Sequence, residues 1–409
     1  MCWRVLLVLE TSGGGAGRHV IDLARGLSDR GHEVHVVYSG TRIEQRFANE
    51  INEIRAAARL QHTRINMRRA PHPGDLLAIK HLRAYLARCG PFDIVHGHSS
   101  KGGAVARLAA IGHAAIRVYT PHAFRTLDPS LKPVLRLTYT VVEWLLCRLT
   151  DGVILVSGEE RDHALALGLS PHKLFVVQNG IESVQMPKRT EARRGLGLNE
   201  NIVCIGFVGR FVPQKAPQRL INAFGCLASR FPHLRLVMVG DGPLAPELYQ
   251  LARRLGLNGR ISWLDNTHGP EIMPAFDIFV MPSLYEAFPY VLVEAAAAGL
   301  PIVATPVGGT NAMIQNAANG FLISNTEHLV RALAGLVEDP SLCRRMGETS
   351  RRIARTYTVQ NMVEKTCAVY EELLSRRAAR GAENSDGQGT LSVRGLDVRK
   401  LRVSKGAKP

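Results

Sequence analysis

The chain of 409 residues is too long for a single hydrophobic core and long enough for two domains. Hydrophobic residues make up 46% of it and charged residues 21%, which excludes a disordered chain, a fibrous repeat and a coiled coil. Its 51 lysines and arginines against 35 aspartates and glutamates give a formal net charge of +16, so anions such as nucleic acid, anionic lipid or a phosphorylated small molecule are candidate partners.

Two absences narrow the class of protein further. No stretch approaches the roughly 18 uninterrupted apolar residues that a membrane-spanning helix needs, and the apolar run over 5–9 is too short for a signal peptide. The seven cysteines include no Cys-x-x-Cys pair, which argues against a disulfide framework and against a zinc ribbon. We therefore expect a cytoplasmic protein.

The first half of the chain alternates strands, glycine turns and helices. An apolar run predicts a strand over 4–9, a glycine-rich turn follows at 13–17, an amphipathic helix covers 18–27 and a second strand covers 33–38. This strand–helix–strand unit opens a doubly wound parallel sheet. Similar patterns predict further strands at 93–96, 117–120, 152–156 and 174–178.

The alternation restarts after a polar stretch at 187–200. Strands are predicted at 202–208, 234–239, 277–281 and 301–304, and helices at 217–230, 246–255, 289–298 and 326–337. The fold class is therefore α/β, with two units of parallel, doubly wound sheet and a boundary near residue 187. Residues 379–409 are rich in glycine and basic side chains and are predicted to form a mobile tail.

Two glutamates mark the motif that points most clearly to chemistry. Glu286 follows the strand predicted at 277–281, and Glu294 lies in a helix predicted to begin at Pro289 and to stop at Gly299. The start of this helix faces the carboxyl end of a parallel strand, where open α/β sheets bind ligands and anions are favoured. Taken alone, either glutamate is better explained as a surface residue without a function. As a pair in this setting, they favour binding of sugar hydroxyls by the carboxylates and of phosphate by the backbone amides.

Cations and glycines follow two other strands. Arg210 and Lys215 come after the first strand of the second unit, where they would suit a diphosphate, although each alone is more simply a surface charge. The glycines at 13–17 do not match the G-x-G-x-x-G dinucleotide fingerprint, because Arg18 occupies the last glycine position. They fit close approach of a ligand and a tight strand-to-helix turn equally well.

Histidines end two strands of the first unit. His98 and His122 would suit the orientation of a hydroxyl group or the sharing of a proton at a cleft. No cysteine or carboxylate completes a metal-ligand set with them at a recognised spacing, and the chain contains no Asp-x-Asp. We therefore expect no metal.

Together these motifs resemble the retaining glycosyltransferases of family 4, which have the GT-B architecture of two facing Rossmann-like domains. The resemblance covers about residues 4–376, and its strongest element is Glu286-x₇-Glu294 followed by Ala-Gly-Leu-Pro-Ile-Val-Ala-Thr-Pro-Val-Gly308-Gly309. Supporting elements are the Gly-Gly turn with Arg18-His19, Val156-Ser157, Gln178-Asn179-Gly180-Ile181, and Arg210 with Lys215. The resemblance implies an acceptor-side domain over 1–186, a nucleotide-sugar domain over 187–355, and a closing helix over 356–378 that returns to the first domain.

The resemblance also implies a role for each candidate residue. A nucleotide-sugar donor would bind mainly to the second domain, and its sugar would be transferred without a metal or another cofactor. The implied catalytic residues are Glu286, His122, Arg210 and Lys215. The implied donor-binding residues are Gly14, Gly15, Arg210, Lys215, Phe288, Tyr290, Val291 and Glu294. Arg210 and Lys215 would contact the diphosphate and Glu294 the ribose, while His98 and Lys101 would lie on the acceptor side.

Four positions depart from the commoner pattern of the family. Gly17 stands where many members carry glutamate, and Pro289 replaces a frequent glycine and so removes one amide donor. Asp265 and Asn266 stand where a glycine is usual. Recognition of the nucleotide base is therefore left open.

The implied acceptor is a glycan or a lipid-linked oligosaccharide, in cell-surface polysaccharide or lipopolysaccharide biosynthesis at the inner face of the cytoplasmic membrane. Weak binding to an anionic membrane would suit the apolar and basic stretch 131–148, although a buried connector helix over 131–149 explains it at least as well. No basic platform with interleaved aromatic residues is present, so we expect no nucleic-acid partner. The alternatives are a sugar-nucleotide epimerase, a phosphorylase or a non-catalytic sugar-nucleotide binder on the same scaffold.

Overall fold

The protein contains two separate parallel β-sheets, each covered by helices. The structure is a computed structural model that describes residues 2–41, 43–57, 60–182, 185–265 and 267–386. Asn266, one of the two residues that replace the usual glycine, lies outside the described residues. Among the described residues, no helix is both long and apolar enough to cross a membrane.

The first sheet has seven strands in the order β3-β2-β1-β4-β5-β6-β7. Its strands are β1 (Arg4–Leu9), β2 (Glu33–Tyr38), β3 (Leu60–Arg64), β4 (Ile94–His98), β5 (Ile116–Thr120), β6 (Gly152–Leu155) and β7 (Leu174–Val176). Its helices are α1 (Gly14–Asp29), α2 (Gln45–Ala57), α3 (Asp75–Cys89), α4 (Ser99–Ala109), α5 (Pro133–Arg148) and α6 (Gly158–Ala166). All pairs are parallel, and the central strand β1 is almost entirely buried because helices cover both faces.

The second sheet has six strands in the order β10-β9-β8-β11-β12-β13. Its strands are β8 (Val203–Val208), β9 (Leu234–Val239), β10 (Ile261–Leu264), β11 (Ile278–Met281), β12 (Ile302–Ala304) and β13 (Gly320–Leu322). The remaining helices are α7 (Arg189–Gly195), α8 (Pro217–Ala228), α9 (Ala245–Arg254), α10 (Gly269–Ile272), α11 (Tyr290–Ala298), α12 (Thr310–Met313), α13 (Thr326–Glu338), α14 (Pro340–Ala354) and α15 (Val359–Asp386). The predicted fold class, two parallel α/β units, is confirmed.

Sequence patterns missed three strands, β3, β10 and β13, all of which are short. β3 and β10 are the first strands of their sheets in spatial order and β13 is the last, so each pairs on one side only. An edge strand needs less apolar sequence, because one of its sides is not covered by a neighbouring strand. The sequence of β3, Leu-Gln-His-Thr-Arg, illustrates this.

The start of α11 also differs from the prediction. Pro289 is the residue that caps the helix rather than its first helical residue, since its backbone is extended (φ −75°, ψ 126°). The helix ends as predicted at Gly299, which has the left-handed conformation (φ 78°) that favours glycine.

The last helix, α15, packs against the first domain. Its Val363 lies against α1 at Gly26, and the hydroxyl of its Tyr370 lies 2.7 Å from Nδ1 of His96. The helix continues through Asp386, so residues 379–386 are helical rather than part of the predicted mobile tail. Residues 387–409 lie outside the described residues.

Candidate functional site

The loop between β11 and α11 carries the first predicted glutamate and packs against a second loop after β12. A side chain at Gly308 would place its Cβ 2.1 Å from the carbonyl oxygen of Glu286, and one at Gly309 would lie 2.2 Å from the ring of Phe288. Only glycines allow this approach. The Gly-Gly pair therefore supports the loop that carries Glu286 and leads into α11.

Glu286 and Lys215, predicted from two separate motifs, form an ion pair. Nζ of Lys215 lies 2.6 Å from Oε1 of Glu286, and Nε2 of Gln214 donates to the carbonyl oxygen of Tyr285 at 3.0 Å. The Glu286 side chain is 7% exposed. Lys215 ends a short 3-10 turn before α8, and the left-handed backbone of Ala216 (φ 45°) turns the chain into that helix. The structure thus places a carboxylate and a cation together at the ends of two adjacent strands.

Glu294 lies in α11 and forms an ion pair with Arg18 of the first domain. The Arg18 guanidinium also lies 4.4 Å from the centre of the Tyr290 ring and 3.7 Å from the carboxylate of Asp22. Gly15 faces the same tyrosine ring, since a Cβ there would contact it at 3.5 Å. The predicted donor residues Glu294, Tyr290 and Gly15 therefore meet at the boundary between the domains.

Two further contacts join the domains beside this ion pair. Nδ1 of His19 lies 3.0 Å from Oδ1 of Asn179, whose Nδ2 donates to the carbonyl oxygen of Phe288 at 2.9 Å. The amide of Gly309 donates to Oε2 of Glu159 at 3.0 Å. First-domain side chains thus hold the backbone of both loops at the end of the second sheet.

Three histidines converge at the first-domain side of the boundary. His19, His98 and His122 offer ring nitrogens that lie within 4.8 Å of one another, and Nδ1 of His98 is 3.2 Å from Nε2 of His122. Burial lowers the pKa of His19 to about 4 and holds the pKa values of His98 and His122 well below the usual range, so all three rings are neutral at pH 7. Within the described part of the chain, Nε2 of His19 and Nε2 of His98 are buried without a hydrogen-bond partner.

Neutral imidazoles can orient hydroxyl groups, and three of them can also bind a transition-metal ion. Sequence spacing indicated no metal-ligand set, because the three residues are far apart in the chain: His19 lies in α1, His98 ends β4 and His122 follows β5. The expected absence of a metal therefore stays a prediction.

Glu160 fixes the backbone that presents His122. His122 and Ala123 both have left-handed backbones (φ 52° and 81°), which are strained for residues with a side chain. The Glu160 carboxylate accepts hydrogen bonds from the amides of Ala123 at 2.8 Å and of Val156 at 2.9 Å. Burial raises the pKa of Glu160 to about 7. The motif Val156-Ser157 was recognised in the sequence, but Glu160 was not predicted as a functional residue.

The remaining predicted residues are less directly involved. Arg210 is exposed and makes no ion pair or side-chain hydrogen bond with the described residues, although its loop is held by the Phe211 amide, which donates to the carbonyl oxygen of Asp241 at 2.8 Å. The Gly14 amide donates to Oε2 of Glu44 at 3.0 Å. Lys101, predicted on the acceptor side, forms an ion pair with Asp75.

Two other positions complete the comparison with the sequence. Val291 is half-buried in the first turn of α11. Gly17, which replaces the usual glutamate, packs so tightly that a Cβ would lie 1.8 Å from the carbonyl oxygen of Ser12. With this backbone, no glutamate fits at position 17.

Comparison with known proteins identifies the family. The family model described as Glycosyltransferase Family 4 matches residues 13–184, and that described as Glycosyl transferases group 1 matches residues 188–353. The chain belongs to glycosyltransferase family 4. It is therefore a glycosyltransferase, and its two sheets form the GT-B fold that the sequence motifs predicted.

Two relatives are similar over most of the chain. One is the UDP-Gal:alpha-D-GlcNAc-diphosphoundecaprenol alpha-1,3-galactosyltransferase of Escherichia coli, which is 29% identical over 69% of this chain and 76% of its own length. Another is the D-inositol 3-phosphate glycosyltransferase of Kribbella flavida, which is 28% identical over 90% of this chain and 92% of its own length.

Solved structures share the fold at lower identity. HepE of Anabaena, in complex with UDP and glucose, superposes with a TM-score of 0.78 at 22% identity, covering 90% of this chain and all of that one. WaaG, a glycosyltransferase involved in lipopolysaccharide biosynthesis, superposes with a TM-score of 0.70 at 20% identity, covering 90% of this chain and 99% of its own.

Proposed function

We propose that this glycosyltransferase moves a sugar from a nucleoside-diphosphate sugar to a lipid-linked glycan, with retention of anomeric configuration. The observation that carries the proposal is the placement of Glu286 and Glu294 on either side of the start of α11, each paired with a cation from another element, Lys215 and Arg18. Two carboxylates that bind hydroxyls, next to a helix end that binds phosphate, match a sugar joined to a nucleoside diphosphate.

The diphosphate would bind where positive charge is available. The amides of Tyr290 and Val291 are in the first turn of α11, where backbone donors have no partner within the helix and the helix dipole favours an anion. Arg210 is exposed at the end of β8, and Lys215 lies beside Glu286. These groups would neutralise the charge that develops on the departing diphosphate, so we propose that transfer needs no metal ion.

The two glutamates would act on different parts of the donor. Glu294 would accept hydrogen bonds from the ribose hydroxyls, while Arg18 holds its carboxylate in place. Glu286 would contact the transferred sugar, with Lys215 holding the carboxylate. The bond from the anomeric carbon to the diphosphate oxygen breaks, and the acceptor hydroxyl attacks from the same face and passes its proton to the departing diphosphate. His122, held by the Glu160-supported turn, would orient a sugar hydroxyl on that face.

The names of the relatives support a narrower choice of substrates. The galactosyltransferase of Escherichia coli acts on a diphosphoundecaprenol-linked sugar with UDP-Gal, and HepE binds UDP and glucose. We therefore propose a UDP-sugar as donor and a polyprenyl-diphosphate-linked sugar as acceptor. The reaction would belong to cell-surface polysaccharide or lipopolysaccharide assembly, at the inner face of the cytoplasmic membrane.

A transfer assay tests the proposal. The purified chain is incubated with UDP-, GDP- and dTDP-sugars and with an N-acetylglucosaminyl-diphosphoprenol acceptor, and the product is analysed by mass spectrometry and by NMR of the new anomeric centre. We expect one UDP-sugar to be transferred with retention, and the Glu286→Gln variant to transfer it much more slowly. Inversion at the anomeric carbon, or conversion of the donor to its epimer without transfer, would contradict the proposal.

A further inference from the structure

Helix α5 has its apolar side turned outward. Of the 13 large hydrophobic residues that are exposed among the described residues, seven lie on this one helix. Val134 is 76% exposed, Leu137 65% and Leu145 47%. A surface helix of a soluble protein normally shows the opposite arrangement, with its apolar stripe against the core. A contiguous exposed apolar surface of this kind indicates a site of interaction.

The inward side of α5 is narrow and partly polar. The residues that it buries are Glu143, Leu146 and Cys147. The Glu143 carboxylate accepts hydrogen bonds from the hydroxyl of Tyr119 at 2.9 Å and from Nη2 of Arg107 at 3.3 Å. This polar network fixes the rotation of the helix, because turning α5 over would strip a buried arginine of its counter-ion. The outward position of the apolar residues is therefore imposed by the fold, and the buried-connector explanation of 131–148 is wrong.

The charges on α5 select the kind of partner. Glu143 is the one acidic residue between Pro133 and Arg148, and it is buried in the network with Arg107. The ends of the helix carry cations instead, with exposed Lys132 at the cap and Arg148 in the last turn, 3.8 Å from the centre of the Trp144 ring. An apolar centre, basic ends and a tryptophan at the edge match a helix that lies in the interface of an anionic bilayer.

Pairing with a second copy of the chain fits the same surface less well. Because both ends of α5 are basic and its outer face carries no acid, a parallel pair would bring Lys132 against Lys132, and an antiparallel pair would bring Lys132 against Arg148. Either arrangement opposes like charges, in a protein whose net charge is already +16. Anionic lipid headgroups complement both ends at once.

A groove beside the first turns of the helix adds space for part of a lipid. It has a volume of about 570 Å³ and is lined by Pro129, Leu131, Pro133, Arg136, Leu137 and Thr140. Its lining is mostly apolar and contains one cation, which suits an acyl chain next to an anionic headgroup.

We propose that the outward face of α5 inserts into an anionic membrane surface and docks the acceptor-side domain on the bilayer. With 16 residues, the helix extends about 24 Å and lies along the interface rather than across it. The inference rests on the proposed function for its purpose, since a lipid-linked acceptor must be reached at the membrane. Binding of this surface to anionic vesicles can be measured without any transfer activity.

Vesicle binding by the full chain tests this inference. The variant Leu137→Ser/Leu145→Ser removes two outward side chains without touching Glu143, and Tyr249→Ser/Leu255→Ser, at exposed apolar positions of the second domain, is the matched control. Co-sedimentation is measured with phosphatidylcholine vesicles with and without phosphatidylglycerol. We expect binding to anionic vesicles to fall about tenfold or more in the α5 variant and to be unchanged in the control.

Four readouts separate the outcomes. Emission from exposed Trp144 should shift to the blue on anionic vesicles only. Equal vesicle binding by the α5 variant and the wild type would overturn the inference, and so would a dimer in light scattering that the α5 substitutions convert to a monomer. Transfer is assayed in parallel on a detergent-dispersed acceptor, where the α5 variant should keep wild-type rates. Absence of transfer in every variant would count against the proposed function and leave the vesicle result intact.

Discussion

Replacing Glu294 by glutamine should weaken nucleotide binding more than it slows the chemical step. The variant keeps the size of the side chain but loses the charge that is proposed to bind the ribose hydroxyls. Loss of a hydrogen bond to a charged group costs about 1.5–3 kcal/mol, which corresponds to an increase in Kd of about ten- to 150-fold. Because the Glu294 side chain is only 7% exposed, we expect the upper half of this range.

The same substitution should lower stability by a limited amount. It removes the counter-ion of Arg18, and leaving a fully buried charge without its partner lowers the free energy of unfolding by about 3–5 kcal/mol. Arg18 is 21% exposed and keeps the carboxylate of Asp22 at 3.7 Å, so we expect a smaller loss of about 1–3 kcal/mol. The variant should therefore fold, and its melting temperature should fall by a few degrees.

Isothermal titration of UDP and initial transfer rates, measured on matched variants, separate the two roles. Glu286→Gln should keep nucleotide affinity within a few-fold and mainly lower kcat, because its contact to the sugar strengthens as the glycosidic bond breaks. Glu338→Gln, which removes the exposed partner of Arg230, is the control for loss of an ion pair unrelated to the site. Equal losses of nucleotide affinity in the Glu286 and Glu294 variants, or full activity in both, would refute the assignment.

Three other predictions follow from the site and the surface charge. Activity should survive dialysis against EDTA, and loss that magnesium, manganese or zinc restores would show that a metal takes part. Stability should fall as the pH is lowered from about 6.5 to 4, because burial lowers the pKa of His19 to about 4 and holds the pKa values of His96, His98 and His122 well below the usual range. Over this range the unfolded chain binds more protons at these four histidines than the native one does. Asp22 and Glu160, with pKa values raised to about 7, offset part of this, and thermal melts of His19→Asn should be less sensitive to acid than those of the wild type. Binding to anionic vesicles should weaken as salt is added, because salt screens the attraction between charges. If the fraction of protein that floats with the vesicles does not change with salt concentration, attraction by the basic surface is contradicted.

Some parts of the site were predictable because their signals are local. Glu286 and Glu294 lie within one local motif of a strand, a turn and a helix. Because β11 and α11 are both buried, the position of the loop between them is set by these two elements. The contact between Lys215 and Glu286 could be expected only in outline, since both follow adjacent parallel strands, β8 and β11, of one sheet.

Other parts could not be predicted from local patterns. Arg18 reaches Glu294 only because the two domains face each other, and no periodicity within either domain contains that information. The cluster of His19, His98 and His122 likewise arises from the order of strands in the first sheet, which brings α1, the helix that carries His19, next to the ends of β4 and β5.

The sequence by itself determined the two α/β units, the bounds of central strands such as β1 and β9, and the motif on α11. A short, continuous apolar run between turns is typical of a parallel strand that helices cover on both faces. The tertiary structure decided which way α5 faces. Helical periodicity shows which residues share a face, but the face that turns inward depends on which side chains of neighbouring elements pack against the helix or bind to it. Here Arg107 and Tyr119 bind Glu143, and this buried network leaves the apolar side of the helix in solvent.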